Sequence, residues 1–434
     1  MRTQTRTEQT EQYKETELGL LPESWEFKSI SEMTEKTKQM DMRKTDNEFK
    51  YIDVSGIDRS SLRIIDYNKF KGHEAPSRAR KIVKKNDVII ATVRPTLKRI
   101  AVISEEFDNQ VCSTAFCVLR VKQDVMDFRY LYYVIQRGKF IDNLGKIQRG
   151  ASYPAVTDSD IKNQKIFVPP FFEQRKIAHV LSTIQTAQEK TEHVITALKE
   201  LKKAMMKHLI MYGPVSLKDA EKVKLKDTKI GLIPEEWDVV KLEDATISMI
   251  GGGTPSTSKP EYWNGEIPWT TSAYITDLYL KEGQKNITRM GLENSSTHLI
   301  PKGNLIIGTR VGVGKVAINL VDVAISQDLT GAIIDRDKFY VEFLAYYLLS
   351  NEPQKIFTLQ TRGTTIKGIP RDDLAKILIC KPPISKQQQI ASMLSIIDKK
   401  TQTDEIKKNS LDELFKSMLH NLMTAKVRVN DLVM

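Results

Sequence analysis

Gly19-Leu20-Leu21-Pro22-Glu23-Ser24-Trp25-Glu26 returns later in the chain as Gly231-Leu232-Ile233-Pro234-Glu235-Glu236-Trp237-Asp238, an offset of 212 residues. A second block repeats at an offset of 213. It pairs Arg149-Gly150 with Arg362-Gly363, Pro169-Pro170 with Pro382-Pro383, Gln174 with Gln387, Ile177-Ala178 with Ile390-Ala391, and Leu181-Ser182 with Leu394-Ser395. Two blocks in one order at nearly one offset mark an internal duplication, which governs every local reading that follows. The stretches between them, 31–148 and 243–361, share only a loose pattern. Val88-Ile89-Ile90-Ala91-Thr92 beside Leu305-Ile306-Ile307-Gly308-Thr309 is one instance. A duplicated frame with divergent inserts suits a protein that recognises two different things in one geometry.

Each copy opens on a Pro-Glu-x-Trp turn leading into a strand. The inserts alternate short apolar runs with Gly, Asn and Asp turns, which predicts strands at 82–92, 100–104 and 115–121, then 304–309, 315–320 and 329–334. Helices are expected at 128–136 and 341–350. After each Pro-Pro comes a long pattern of heptad period. In the first copy one row is Ile177, Ile184, Thr191, Leu198 and Met205, and the other is Val180, Ala187, Val194, Leu201 and His208. Gly213-Pro214 ends it. The second copy gives Ile390, Ile397, Asp404, Leu411 and Met418 beside Met393, Lys400, Lys407, Leu414 and Asn421, with a polar middle. Neither helix can bury its stripe alone, so the two are expected to pair.

The predicted fold class is therefore α+β: two tandem mixed domains, each followed by a long helix, with the helices forming an antiparallel coiled coil. The expected boundaries are a flexible arm at 1–16, a first domain at 17–170, a helix at 171–213, a linker at 214–228, a second domain at 229–383, a helix at 384–425 and a tail at 426–434.

Among 434 residues there are 66 Lys and Arg against 55 Asp and Glu, a net charge of +11. That balance favours a polyanion partner, with nucleic acid first. Cys112, Cys117 and Cys380 make no disulfide framework, and no Cys/His set has zinc spacing. The N-terminus is polar and no run of eighteen apolar residues occurs, so neither a signal peptide nor a membrane span is expected, and the expected location is cytoplasmic.

No catalytic constellation is legible. Gly308-Thr309-Arg310-Val311-Gly312-Val313-Gly314-Lys315 misses the phosphate-loop spacing and has Val316 where a magnesium-binding hydroxyl would stand. It reads better as a turn between two strands. Val168-Pro169-Pro170-Phe171 has valine where an amino-methyltransferase motif needs its polar first residue, and the second copy reads Lys381-Pro382-Pro383-Ile384, so the motif reads better as the stop between a strand and the long helix. Six scattered histidines form no ligand set.

The candidate contacts are for DNA. Arg78, Arg80, Lys81, Arg94, Lys98 and Arg99 cluster in the first insert. Lysine and arginine neutralise phosphates, and arginine also reads guanine edges. The second insert offers Gly251-Gly252-Gly253-Thr254-Pro255-Ser256-Thr257-Ser258-Lys259, in which Thr254, Ser256, Thr257 and Lys259 can reach a backbone. Arg310 and Lys315 flank the glycine-rich turn. Arg149 and Arg362 stand before Gly at the same point of the repeat and are read as phosphate clamps. Tyr262, Trp263 and Trp269 read as core or loop anchors.

Residues 252–269, Gly-Gly-Thr-Pro-Ser-Thr-Ser-Lys-Pro-Glu-Tyr-Trp-Asn-Gly-Glu-Ile-Pro-Trp, resemble the opening of a target recognition domain in specificity subunits of type I restriction–modification enzymes. So do residues 231–237, 382–391 and 422–429, and the resemblance spans nearly the whole chain. It implies a non-catalytic subunit in which each variable domain reads one half of a split, asymmetric DNA site. It also implies that the paired helices set the gap between halves and dock two adenine methyltransferase subunits, joined by translocating restriction subunits. S-adenosylmethionine, ATP and magnesium would then sit on those partners, with no cofactor or metal on this chain. The alternative is a stand-alone DNA-binding regulator with an internally duplicated domain, although no helix-turn-helix pattern is apparent.

Overall fold

A computed structural model describes residues 13–16, 19–363 and 368–429. The chain divides into two compact units, residues 1–191 with 407–434, and residues 192–406. Each unit holds one insert with its frame and a part of each long helix, Phe171–Tyr212 and Ile384–Met423. Each long helix thus has one part in the first unit and the rest in the second.

In the first unit, Trp25 N–H donates to Pro22 O at 2.9 Å, closing the turn, and strand Glu26–Ser29 then pairs antiparallel with Lys165–Val168. In the second, Trp237 N–H donates to Pro234 O at 3.0 Å and Asp238–Lys241 pairs with Leu378–Lys381. Both indoles are buried. The repeated glutamine explains itself. Gln174 accepts from Asp127 N–H at 2.9 Å and donates to Val125 O at 3.1 Å and Pro169 O at 2.9 Å. Gln387 accepts from Tyr340 N–H at 2.8 Å and donates to Lys338 O at 3.1 Å and Pro382 O at 2.8 Å. One buried amide thus ties insert, strand end and long helix through main-chain groups, which would otherwise be unpaired.

The first insert carries a four-stranded sheet in the order Asn68–Lys71, Glu48–Ile52, Val111–Ser113, Ala79–Ile82, its central pair parallel. Beside it lie three antiparallel strands, Phe116–Leu119, Val88–Ala91 and Ile100–Val102. The second insert has five strands (Thr246–Gly251, Leu329–Ile334, Leu305–Gly308, Val316–Asn319, Tyr279–Leu280) and four (Lys285–Ile287, Trp263–Thr270, Val323–Ile325, His298–Ile300). The strand expected across 82–92 is two strands, because Asn86 turns at φ 70°. The helices expected at 128–136 and 341–350 form as Phe128–Val134 and Val341–Leu348, and Gly138–Ile147 and Asn351–Gln360 follow them.

Within each unit the long helices run antiparallel. In the first, Gln188 Nε2 donates to Asp412 Oδ1 at 2.7 Å. In the second, Lys202 pairs with Asp398 at 2.6 Å and Lys199 with Glu405 at 2.9 Å. One expected heptad row holds and the other does not. Ile177, Ile184, Thr191, Ile390, Ile397 and Asp404 are buried, but Val194, Leu201 and Met393 are exposed while Ile195, Leu209 and Leu394 are buried instead. A straight helix drifts about 20° per heptad, so a fixed seven-residue row walks off the seam.

At the termini, Tyr13–Thr16 is a strand paired with Gly19–Pro22, inside the stretch expected to be a flexible arm; residues 1–12 lie outside the described residues. The expected tail also packs. Val429 is buried, and Arg428 forms a bidentate pair with Glu173 at 3.0 and 3.1 Å.

Candidate nucleic-acid interface

The two units build the same pair of loops. In the first, residues 92–99 join strands Val88–Ala91 and Ile100–Val102. Thr92 N–H donates to Ala115 O at 2.8 Å, and Thr92 O accepts from Val156 N–H at 3.0 Å. Val93 bridges Ala155, which exchanges hydrogen bonds of 2.8 and 2.9 Å with Arg149. In the second, residues 309–315 join Leu305–Gly308 and Val316–Asn319. Thr309 N–H donates to Asp328 O at 2.9 Å, and Thr309 O accepts from Ile369 N–H at 2.9 Å. Arg310 bridges Gly368, which exchanges two bonds of 2.8 Å with Arg362. Residues 364–367 of that loop lie outside the described residues.

The repeated arginines carry a repeated partner. Arg149 lies 3.6 Å from Asp160, and Arg362 lies 2.9 Å from Asp373. Both guanidinium side chains are mostly exposed, at 74% and 73%. Hydrogen bonds from the Thr157 main chain and hydroxyl, then the charge of Arg149, hold the Asp160 carboxyl below its ordinary value. So exposed a pair adds little stability. Its effect is geometric: a carboxylate on one side leaves the rest of the guanidinium fork aimed outward, where it can meet a phosphate.

The fold sorts the other candidates. Lys81 is buried, donating to Phe116 O and pairing with Asp158 at 2.5 Å, so it is withdrawn from any surface contact. Arg99 donates to the carbonyls of Val54 and Ile57, and Lys315 donates to Ser272 O at 2.9 Å. Both cations keep their charge but tether loops, so these donors are engaged within the protein. Arg80 is half-buried and donates to Ser77 O at 2.9 Å. Arg78, Arg94, Lys98 and Arg310 are exposed and remain available. The loop at 251–259 is tied inward. Gly253 N–H donates to Ile325 O at 2.9 Å, and a Cβ at Gly252 would lie 2.1 Å from that same oxygen, so these glycines serve close approach to the protein's own backbone. Trp269 and Trp263 donate to Gly253 O and Ser256 O, each at 3.1 Å, as anchors. Ser256 and Ser258 bond each other, Thr254 bonds Gln327, and Lys259 donates to Tyr262 Oη at 3.0 Å. Thr257 is exposed.

Sequence reading passed over two exposed residues on these loops, Tyr153 and Val311. Neither carries a charge, and a valine beside glycines gives no signal of its own. Among the described residues no group of three or more His, Cys, Asp or Glu is placed to hold a metal ion, and no helix is long and apolar enough to cross a membrane.

The family model for the type I restriction modification DNA specificity domain matches this chain twice, over residues 22–200 and 234–413. The chain belongs to that family. Its two matches coincide with the duplicated frame, so the family unit is one insert with its adjoining helix. A specificity subunit assigned to the type I restriction enzyme MjaX of Methanocaldococcus jannaschii is 25% identical over 428 residues, covering 96% of this chain and 97% of its own. The HindI specificity subunit of Haemophilus influenzae is 20% identical over 82% of this chain and 89% of its own. A chain from a structure of a type I restriction–modification system, described for its complex assembly and conformational transition, is 26% identical with a TM-score of 0.55, covering 94% and 99%. The S subunit from M. genitalium shares the fold at 13% identity, with a TM-score of 0.60 over 92% and 96%. The chain is a specificity subunit with two tandem recognition domains, of mixed sheets and helices.

Proposed function

We propose that each recognition domain reads one half of a split, asymmetric DNA site, and that the chain contributes no catalytic residue of its own. The observation that carries this is the loop pair built twice on identical anchors, with a fixed arginine–aspartate pair in both copies and unlike side chains around it. The shared arginines suit phosphates, which are the same in any sequence; the unlike residues suit bases. The net charge of +11 supplies the salt-sensitive, sequence-independent part of the affinity.

In this reading the long helices fix the spacer between half-sites. A helix of 42 residues extends roughly 60 Å. They also dock two methyltransferase subunits. Val194, Leu201, Ile396 and Ile406 leave apolar side chains exposed on the helices, which favours a protein partner there. S-adenosylmethionine, ATP and magnesium belong to the methyltransferase and restriction subunits, and the assembly works in the cytoplasm.

The test is adenine-methylome sequencing of cells with and without the gene. A two-part motif whose methylation disappears with the gene is the expected result. Identical methylomes in both would sink the proposal. So would methylation of DNA by the purified chain alone.

A further inference from the structure

We infer that the second residue after the loop threonine, Arg94 in the first unit and Val311 in the second, is a base-reading position; this rests on the DNA-reading role proposed above. Thr92 and Thr309 are held by the same two main-chain bonds. Two residues on, the backbone turns left-handed in both units, with φ 48° at Arg94 and 43° at Val311. Side chains with a Cβ seldom adopt that conformation, and a β-branched valine is an outlier there. Such strain persists where the surroundings over-determine it, and it concentrates at ligand contacts.

What the turn achieves is exposure. Val311 is 71% exposed and belongs to no core cluster. Arg94 is exposed too, and it is pre-oriented. Its guanidinium lies 5.1 Å from the Tyr153 ring centroid and donates to Ser152 O at 3.2 Å, while Arg94 N–H donates to Pro154 O at 2.7 Å. Tyr153, itself 72% exposed, is a positioning residue for that fork.

Identity and difference separate two roles. Arg149 and Arg362 are the same residue at matching places, as a contact common to both half-sites requires. Residues 94 and 311 share a costly backbone but not a side chain, as readers of unlike half-sites require. Their chemistry names the bases. An arginine fork matches guanine O6 and N7, and valine methyls match the 5-methyl of thymine. The first half-site then has a guanine at the position met by Arg94, and the second a thymine at the position met by Val311.

The experiment is methylome sequencing of cells carrying the full chain and its partner subunits with Arg94→Gly or Val311→Gly. Glycine favours positive φ, so both changes relieve the turn; melting temperatures equal to or above the parent's are expected. Val311→Gly should let cytosine in beside thymine at one position of the second half-site and leave the first half-site as it was. Arg94→Gly should lower the preference for guanine at one position of the first half-site by roughly ten- to a hundred-fold. The inference is overturned if every base of both half-sites stays as stringent as before. It is equally overturned if methylation vanishes at all sites while the variant still folds and assembles. Failure of the underlying DNA-reading role looks different, since the parent gene would then confer no methylation.

Discussion

Glu173 is the most consequential single residue of the frame that its repeat does not preserve. Its side chain is 1% exposed, it accepts from the Trp25 indole at 3.0 Å, and Arg428 grips both its oxygens. At the matching place in the second copy stands Lys386, so the clasp is made once. Removing the cation alone strands a buried carboxylate, which costs about 3–5 kcal/mol. Arg428→Met should therefore lower unfolding stability by about that much, and adding Glu173→Gln should restore part of it. Denaturant titration of the single and double variants checks this; a single variant within about 0.5 kcal/mol of the parent would mean the tail is held by packing instead. No sequence pattern joins residues 173 and 428. The same blindness covers the basic cluster. Lys81, Arg99 and Arg94 look alike as letters, and only the fold shows one buried, one bound to carbonyls and one exposed. What could be read was the repeated identity of Arg149 and Arg362. Their aspartates, Asp160 and Asp373, also keep the offset of 213 and were overlooked.

At the scale of elements, periodicity made both long helices legible to within two residues at their ends, because no Pro or Gly interrupts either. It was a poorer guide to which side faces the seam, since the heptad was taken as fixed. Its polar middle is real: Asp404 is buried, with Lys400 Nζ 3.1 Å away, and Asp404 Oδ2 accepts no well-formed hydrogen bond. A seam that keeps such a group gives up stability, and a polar residue at one core position is a known way to fix register. The faces turned from the seam carry Ile396 and Ile406, 63% and 61% exposed. Aspartate at both should leave the fold intact, as the side chains are in water already, yet weaken capture of the methyltransferase subunit at least tenfold. Pull-down with purified methyltransferase and the melting curve of the isolated chain check the two halves of this expectation; full capture by Ile396→Asp/Ile406→Asp would remove that face from the docking surface.

At the scale of the whole molecule, the duplicated frame allows one domain to be replaced without the other. The reason lies in how the frame grips its insert. Toward the insert, Gln174 bonds main-chain atoms of residues 125 and 127, and Gln387 those of 338 and 340. A frame that holds backbone tolerates new side chains, so inserts can diverge in sequence while their attachment stays constant. Exchanging residues 31–148 for the corresponding segment of another family member should therefore give a folded chain that changes one half-site and keeps the other and the spacer. The methylome of cells carrying the hybrid decides it. Alteration of both halves would mean that the second domain's loops take their shape from the first insert. A change in the spacer would mean that the insert, and not the helices alone, sets the distance. Either outcome would break the division of labour that the repeat implies, in which Arg149 and Arg362 meet what every site shares and the residues between the anchors meet what differs.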